Sequence, residues 1–446
     1  MNFIFKLSYT QIIVSYFFAL IFFSGFLLCL PVSSKTGEWT PFIDSVFTST
    51  SALCITGFAI YDTWTHWSFF GQFVILLLIQ TGGIGFMTII VIFSVFINRK
   101  IGLHERQLLA QSVGIMQIGG VIRLIKRIFK IVLIIEFSGV IILAIRFCPQ
   151  MGFLSGLWNA VFHSISAFCN AGFDLMGKFK EFSSLAHYAT DTTVMVTVIL
   201  LTFIGTLGFV VLDDIIIYKF RFSKYSIHSK IVLFVTGILI FLGWILYYLF
   251  EFNGFLKDFT IGGKITIALF QSVASKTSGL NVVNTTQLTE ASILLTIVLM
   301  FIGGSSGSTA GGIKTTTLAI LVLNACNSFR KTHSMVVFKR KLDEKTVKRA
   351  AAIVSIYTFV FFVATFILCA VESFTLKEAM FEAGSALGSV GLSIGIISSS
   401  LGATGKIIII ILMFAGRIGW LTLLIAFAKK RITPLVERPT EKILIG

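Results

Sequence analysis

Four glycines, Gly57, Gly172, Gly279 and Gly391, stand in one recurring pattern. Ten residues before each come Phe47, Phe162, Leu269 and Phe381; five before, Ala52, Ala167, Ala274 and Ala386; directly after, Phe58, Phe173, Leu280 and Leu392. Six before stand Ser51, Ser166 and Ser385, with Val273 the exception. The glycines are 115, 107 and 112 residues apart, so the chain consists of four related units. Glycine takes φ > 0 freely. That freedom lets consecutive backbone carbonyls line a pore, where they replace the hydration shell of a cation. A single glycine of this kind reads as a helix cap. Four in register, each followed by a large apolar residue, read as a filter formed by Thr56–Gly57, Ala171–Gly172, Ser278–Gly279 and Val390–Gly391.

A second glycine register lies 25 and 28 residues further on: Gly82 and Gly85, Gly304 and Gly307, Gly416 and Gly419, with Gly205 and Gly208 displaced by eight in the second unit. Close helix packing accounts for Gly82, Gly85, Gly205 and Gly208. The third unit departs from this. Its helix is interrupted by Gly303, Gly304, Ser305, Ser306, Gly307, Ser308, Thr309, Ala310, Gly311 and Gly312. With each glycine costing about 1 kcal/mol against alanine in a helix, the run reads as a flexible gate. Its end, G-x-x-x-x-G-I-K-T, has one residue too many before Lys314 for a phosphate-binding loop, and no strand precedes it, which excludes nucleotide binding there.

Three charges fall inside apolar spans. Arg417, in F-A-G-R-I-G-W, would cost from about 2.5 to well over 10 kcal/mol facing lipid, so it must face inward. It stands 26 residues past Gly391, as Ser305 stands 26 past Gly279, and free carbonyls of the interrupted helix are its natural partners. Two readings stay open: a structural hydrogen bond, or a latch on the gate that also repels cations. Lys276, three before Gly279, would repel cations if it faced the pore, so it is expected behind the filter, donating to helix carbonyls. Glu136 has no evident partner.

These residues need a membrane scaffold. With 56% hydrophobic and 13% charged residues and a mean hydropathy of +0.94, the chain reads as an all-α integral membrane protein. Its net charge of +16 is gathered in Arg99–Lys130, Lys219–Lys230, Arg330–Arg349 and Lys429–Lys442. These lie between units or at the end, the distribution of cytoplasmic loops rather than of a nucleic-acid surface. Each unit reads as an outer helix, a short re-entrant helix and a second long helix. The outer helices are expected near 11–30, 125–147, 229–250 and 347–371, the short ones near 42–53, 155–168, 263–275 and 376–387, and the second ones near 69–97, 192–218, 289–325 and 403–428. The divisions are repeat one over 1–97, a cytoplasmic linker over 98–124, repeat two over 125–219, repeat three over 220–326, a second linker over 327–346, repeat four over 347–428 and a cytoplasmic tail over 429–446. Eight spans put both termini on one side, and the basic tail makes that side the cytoplasm. The short helices then enter from outside, with their negative C-terminal ends toward the membrane centre. Asp44, Asn159, Thr266 and Glu378, thirteen before each glycine, read as their caps. The six cysteines read as buried free thiols, and the six histidines form no metal-type spacing.

Together, the four units, the filter glycines, the break at 303–312 and Arg417 resemble the Trk/Ktr/HKT superfamily of potassium transporters over nearly the whole chain. The chain opens on repeat one, which is similar to a Ktr-type membrane subunit. The resemblance implies that the glycines select K⁺, that the broken helix is an intramembrane gate contacted by Arg417, and that Na⁺ acts as an activator. Plant relatives with serine at the first filter position favour sodium, so Gly57 implies potassium. The resemblance further implies a homodimer in the plasma membrane, each subunit with its own pore, on a cytosolic RCK/KTN ring of nucleotide-binding regulatory subunits. The basic segments Arg99–Lys130 and Arg330–Arg349 and the tail are candidate docking surfaces for that ring. No covalent cofactor is expected, and nucleotide belongs to the partner only. Potassium uptake through a channel-like pore is the leading reading. The alternative is a sodium/potassium-coupled secondary transporter with a midplane site. No pairing of histidines with carboxylates suggests an enzyme.

Overall fold

The computed structural model describes residues 9–85, 120–329, 336–337, 340–341, 343–399 and 401–427. Within them the architecture is helical, apart from a two-residue hairpin of β1 (Val336–Val337) and β2 (Arg340–Lys341). Repeat one comprises α1 (Tyr9–Cys29), α2 (Phe42–Leu53) and α3 (Phe69–Ile84). Repeat two comprises α4 (Val121–Met151), α5 (Phe153–Cys169), α6 (Thr192–Leu207) and α7 (Phe209–Tyr218). Repeat three has α8 (Ile227–Glu251), α9 (Ile261–Thr277), α10 (Glu290–Phe301) and α11 (Thr315–Phe329). Repeat four has α12 (Glu344–Glu372), α13 (Leu376–Gly388), α14 (Ala403–Ile418) and α15 (Trp420–Phe427). The tail, most of the first linker and residues 86–97 of the anticipated second helix lie outside the described residues, as does Lys6.

The helices start where hydroxyl or carboxylate side chains can take up free backbone N–H groups. Asp191 caps α6, Ser226 caps α8, Thr260 caps α9 and Thr289 caps α10. Thr375 and Glu378 form a reciprocal capping box on α13. This corrects one expectation. Asp44, Asn159, Thr266 and Glu378 are not the N-caps of the short helices, which begin three to seven residues earlier than that register assumed, at Phe42, Phe153, Ile261 and Leu376. The apolar pattern extends back to these points, so the shared polar position falls inside the first two turns.

By length and composition α1, α4, α8 and α12 can each cross a membrane, and the bent pair α6–α7 counts as a fifth span. These outer helices turn apolar side chains outward, as with Phe18 and Phe23 on α1 or Phe359 and Phe366 on α12. The short helices are enclosed instead. Each packs against its own outer helix and against the second helix of the preceding repeat: α5 on α3, α9 on α6, α13 on α10, and α2 on α14. That last contact closes the four repeats into a ring.

The second helices are not continuous. Ile84 ends α3 at Gly85 (φ +85°), α6 and α7 meet at 99° across Gly208 (φ +91°), and α14 gives way to α15 at Gly419 (φ +92°). Gly85 and Gly208 therefore serve as helix breaks, because the backbone there sits where a β-carbon would strain it. Gly208 is also closely packed, with Ser305 Oγ 2.4 Å from where its β-carbon would stand, and Gly82 and Gly205 serve close packing. A β-carbon on either would come within 2.1 Å of Leu53 O or 2.0 Å of Phe168 O, at the ends of α2 and α5. Of the cysteines, all free, only Cys54 and Cys169 are fully buried, and Cys326 is exposed.

Candidate functional site: a glycine ring above a buried loop

The ends of the short helices converge. In repeats one, two and four the helix closes through one turn. Ile55, Asn170 and Ser389 adopt left-handed φ of 57°, 58° and 50°. The next residue's N–H then reaches back five positions: Thr56 to Ser51 O, Ala171 to Ser166 O, Val390 to Ser385 O, at 2.8, 2.8 and 2.9 Å. This is a Schellman closure, which directs the following backbone away from the helix axis. Repeat three differs: α9 runs on through Thr277, two before its glycine, and Ser278 N donates to Ala274 O at 2.9 Å as in an ordinary helix.

All four glycines then take positive φ: +95° at Gly57, +75° at Gly172, +68° at Gly279 and +89° at Gly391. Their surroundings form a circle. A β-carbon on Gly57 would stand 2.5 Å from Ala171 O, and one on Gly172 would stand 2.9 Å from Ser278 O. One on Gly279 would stand 2.2 Å from Val390 O, and one on Gly391 would stand 1.9 Å from Thr56 O. Each glycine thus abuts the carbonyl that precedes the next repeat's glycine, and the fourth abuts the first. The serines six before the glycine support this backbone. Gly57 N donates to Ser51 Oγ at 3.1 Å, Gly391 N donates to Ser385 Oγ at 3.0 Å, and Ser166 Oγ donates to Phe173 O at 2.6 Å. Val273 offers repeat three no such support.

Residues 303–312 fold into a largely buried loop held across repeats. Ile302 and Ile313 form a parallel bridge at its neck. Ser305 Oγ donates to Leu207 O at 2.5 Å, Phe209 N donates to Gly307 O at 2.9 Å, and Thr309 Oγ1 donates to Gly205 O at 3.0 Å. The break at Gly208 and the loop therefore form one unit, with the carbonyls and N–H groups freed by the first partly satisfied by the second. Lys314 Nζ donates to Ala310 O at 2.7 Å, so this lysine is spent on the loop's own backbone. Arg417 bridges two repeats: Nη1 donates to Thr309 O at 2.5 Å and Nη2 donates to Gly82 O.

The loop also touches the ring above it. Asn170 Nδ2 donates to Thr309 Oγ1 at 2.7 Å, Thr277 Oγ1 lies 3.1 Å from Thr206 Oγ1, and a β-carbon on Gly311 would meet Ser389 at 2.6 Å. Asn170, Thr277 and Ser389 all stand two before a glycine of the ring. They were not singled out from the sequence, although their shared register was the available signal.

Two charged residues end differently from expectation. Lys276 is buried, but its Nζ makes no hydrogen bond, so it does not donate to helix carbonyls. Glu136 does have a partner: Gln80 Nε2, on α3, donates to Glu136 Oε2 at 3.0 Å.

Beside the start of α2, a cavity of about 580 Å³ lies between repeats one, two and four. Asp44 meets Lys406 at 2.7 Å and accepts from Tyr61 Oη at 2.9 Å. His66 stacks on Tyr61, and its Nε2 lies 3.1 Å from Thr40 Oγ1. Burial pulls the His66 pKa below its ordinary value, against an opposing pull from Asp44.

Comparison with known proteins bears on the family and the fold. Residues 7–434 match the family described as "TrkH: Cation transport protein". The chain is 38% identical to the potassium/sodium uptake protein NtpJ of Enterococcus hirae, over 99% of this chain and 98% of that one. It is also 38% identical to the Ktr system potassium uptake protein B of Bacillus subtilis, over 94% and 93%. Among solved structures, the potassium transporter TrkH from Vibrio parahaemolyticus superposes with a TM-score of 0.76 at 19% identity, over 94% of this chain and 84% of that one. At that identity the likeness concerns the fold.

Proposed function

The chain belongs to the TrkH family of cation transport proteins, and from that premise we propose that it takes up potassium through one central pore gated inside the membrane. It is a multi-pass membrane protein and a transporter, not an enzyme. The observation that carries the proposal is the circle of four positive-φ glycines, each against the carbonyl before the next. Carbonyls held in this way can exchange for the water around a monovalent cation. In this reading the four repeats contribute eight spans and four re-entrant helices, Thr56–Gly57, Ala171–Gly172, Ser278–Gly279 and Val390–Gly391 form the filter, and both termini are cytoplasmic.

Residues 303–312 form the gate, and Arg417 is its latch: the guanidinium holds Thr309 O to Gly82 O, so the loop cannot leave the pore without breaking a charged hydrogen bond. Membrane potential drives the ion inward. The names of two relatives, uptake proteins of Ktr systems, support association with a further subunit of such a system; in this reading the chain is a homodimer on a cytosolic nucleotide-binding ring. A second reading adds sodium, as activator or coupled ion, and is favoured by the similarity to a potassium/sodium uptake protein.

The test is growth of a potassium-uptake-deficient bacterium on low potassium, with and without a Ktr regulatory subunit. Rescue that strengthens with the subunit is the expected result. Failure to rescue in both arms, with the protein present in the membrane, would refute the proposal.

A further inference from the structure

In two of the four repeats the backbone just past the ring glycine is held from one and the same position of the short helix. Nine residues before the filter glycine stand His163 in repeat two and Glu382 in repeat four, both fully buried. Each accepts the N–H three residues past that glycine. Leu175 N donates to His163 Nε2 at 3.4 Å, and Ile394 N donates to Glu382 Oε1 at 3.0 Å. Repeats one and three carry Thr48 and Phe270 there. Thr48 bonds only within its own helix, to Asp44 O at 2.9 Å, and Phe270 has no polar atom.

Glu382 is the more strongly engaged. Ser393 Oγ also donates to its Oε1, at 2.6 Å, and Ser393 O accepts from Thr285 Oγ1 of repeat three at 2.5 Å. A carboxyl group on the capped helix α13 thereby holds two successive residues beyond Gly391 and, through them, the neighbouring repeat. Its other oxygen, Oε2, is buried without a hydrogen-bond partner. A buried carboxyl group is costly unless a specific arrangement requires it. Packing alone would be met by an apolar side chain, as Phe270 shows at the same place in repeat three.

We propose that Glu382 is a positioning residue for ion selection: by clamping Ser393 and Ile394 it fixes the outward strand of repeat four, so that Val390 O and Gly391 hold their place in the ring, with His163 in the matching role opposite. Glu382 touches no transported ion. This inference rests on the proposed filter.

The experiment measures tracer K⁺ and Na⁺ influx into proteoliposomes holding the full-length protein. Glu382→Ala should lower the K⁺-over-Na⁺ uptake ratio about tenfold, since it strands two donors. Glu382→Gln keeps the accepting oxygen and should stay within about twofold of wild type, and Ser393→Ala, losing one donor, should fall about threefold. Lys377→Ala, on the same helix but in an exposed ion pair with Glu290 (2.7 Å), should leave the ratio unchanged. If Glu382→Ala does not fold, Ser393→Ala decides. A wild-type ratio in Ser393→Ala, or an equal fall in Glu382→Gln and Glu382→Ala, overturns the proposal. A wild-type protein that does not itself prefer K⁺ would instead remove the filter on which the proposal rests.

Discussion

Alanine at each filter glycine separates two physical effects. All four positions have positive φ, from +68° to +95°, so each alanine carries a backbone cost of about 1–2 kcal/mol. They differ in room. The added carbon would lie 1.9 Å from Thr56 O at Gly391, 2.2 Å from Val390 O at Gly279, 2.5 Å from Ala171 O at Gly57 and 2.9 Å from Ser278 O at Gly172. Real β-carbons stay beyond 3.0 Å, so Thr56 O must retreat about 1 Å, while Ser278 O need hardly move. A carbonyl displaced by that much no longer sits where it can coordinate an ion. Gly172→Ala should therefore show the backbone term alone, about a five- to thirtyfold fall in the K⁺-over-Na⁺ uptake ratio. Gly391→Ala adds overpacking of about 1–3 kcal/mol and should fall by about a hundredfold or more, with Gly279→Ala and Gly57→Ala between. Tracer uptake in proteoliposomes reads the series. Equal losses at all four positions, or Gly172→Ala the worst, would refute the claim that the ring is set by these contacts.

Deleting Ser305–Ala310 should raise flux and remove dependence on the regulatory subunit, and Arg417→Ala should do the same to a smaller extent; wild-type flux in the deletion means the loop is no gate. Gly205→Ala places a carbon 2.0 Å from Phe168 O and should cost about 1–3 kcal/mol or more, visible as a lower Tm of the purified protein. An unchanged Tm there would show that α5 and α6 are not in firm contact. For His66, the folded state disfavours the charged form, so the unfolded chain binds the proton more readily. Its contribution to stability is present above the ordinary histidine value of 6.5 and is lost as pH falls below it. Between about pH 7 and pH 5 the wild-type Tm should therefore drop more than that of His66→Gln. Parallel curves would exclude His66 as a source of acid sensitivity.

The sequence by itself determined the class of molecule, the four-fold repetition and the positions of the filter glycines. These are requirements of the local backbone: a positive φ at the same step of each repeat restricts the residue type there, and apolar length is set by the membrane. The short helix Phe42–Leu53 was legible to the residue for the same reason. What the sequence left open was which groups meet. Arg417 and Gly82 are 335 positions apart, Asn170 and Thr309 139, and no spacing rule joins them. Equivalent positions also have unequal fates. Three short helices close through a left-handed residue while α9 runs on through Thr277, whose hydroxyl meets Thr206 and Asn170. The register of Gly208 points to packing, and the assembled ring makes it both a packed position, against Ser305, and a break. Gly208 bends because the loop of the next repeat offers partners for the groups the break sets free. Gly57, Gly172, Gly279 and Gly391 are thus fixed one repeat at a time, while the circle they form belongs to the tertiary structure, where each glycine is crowded by a carbonyl of its neighbour.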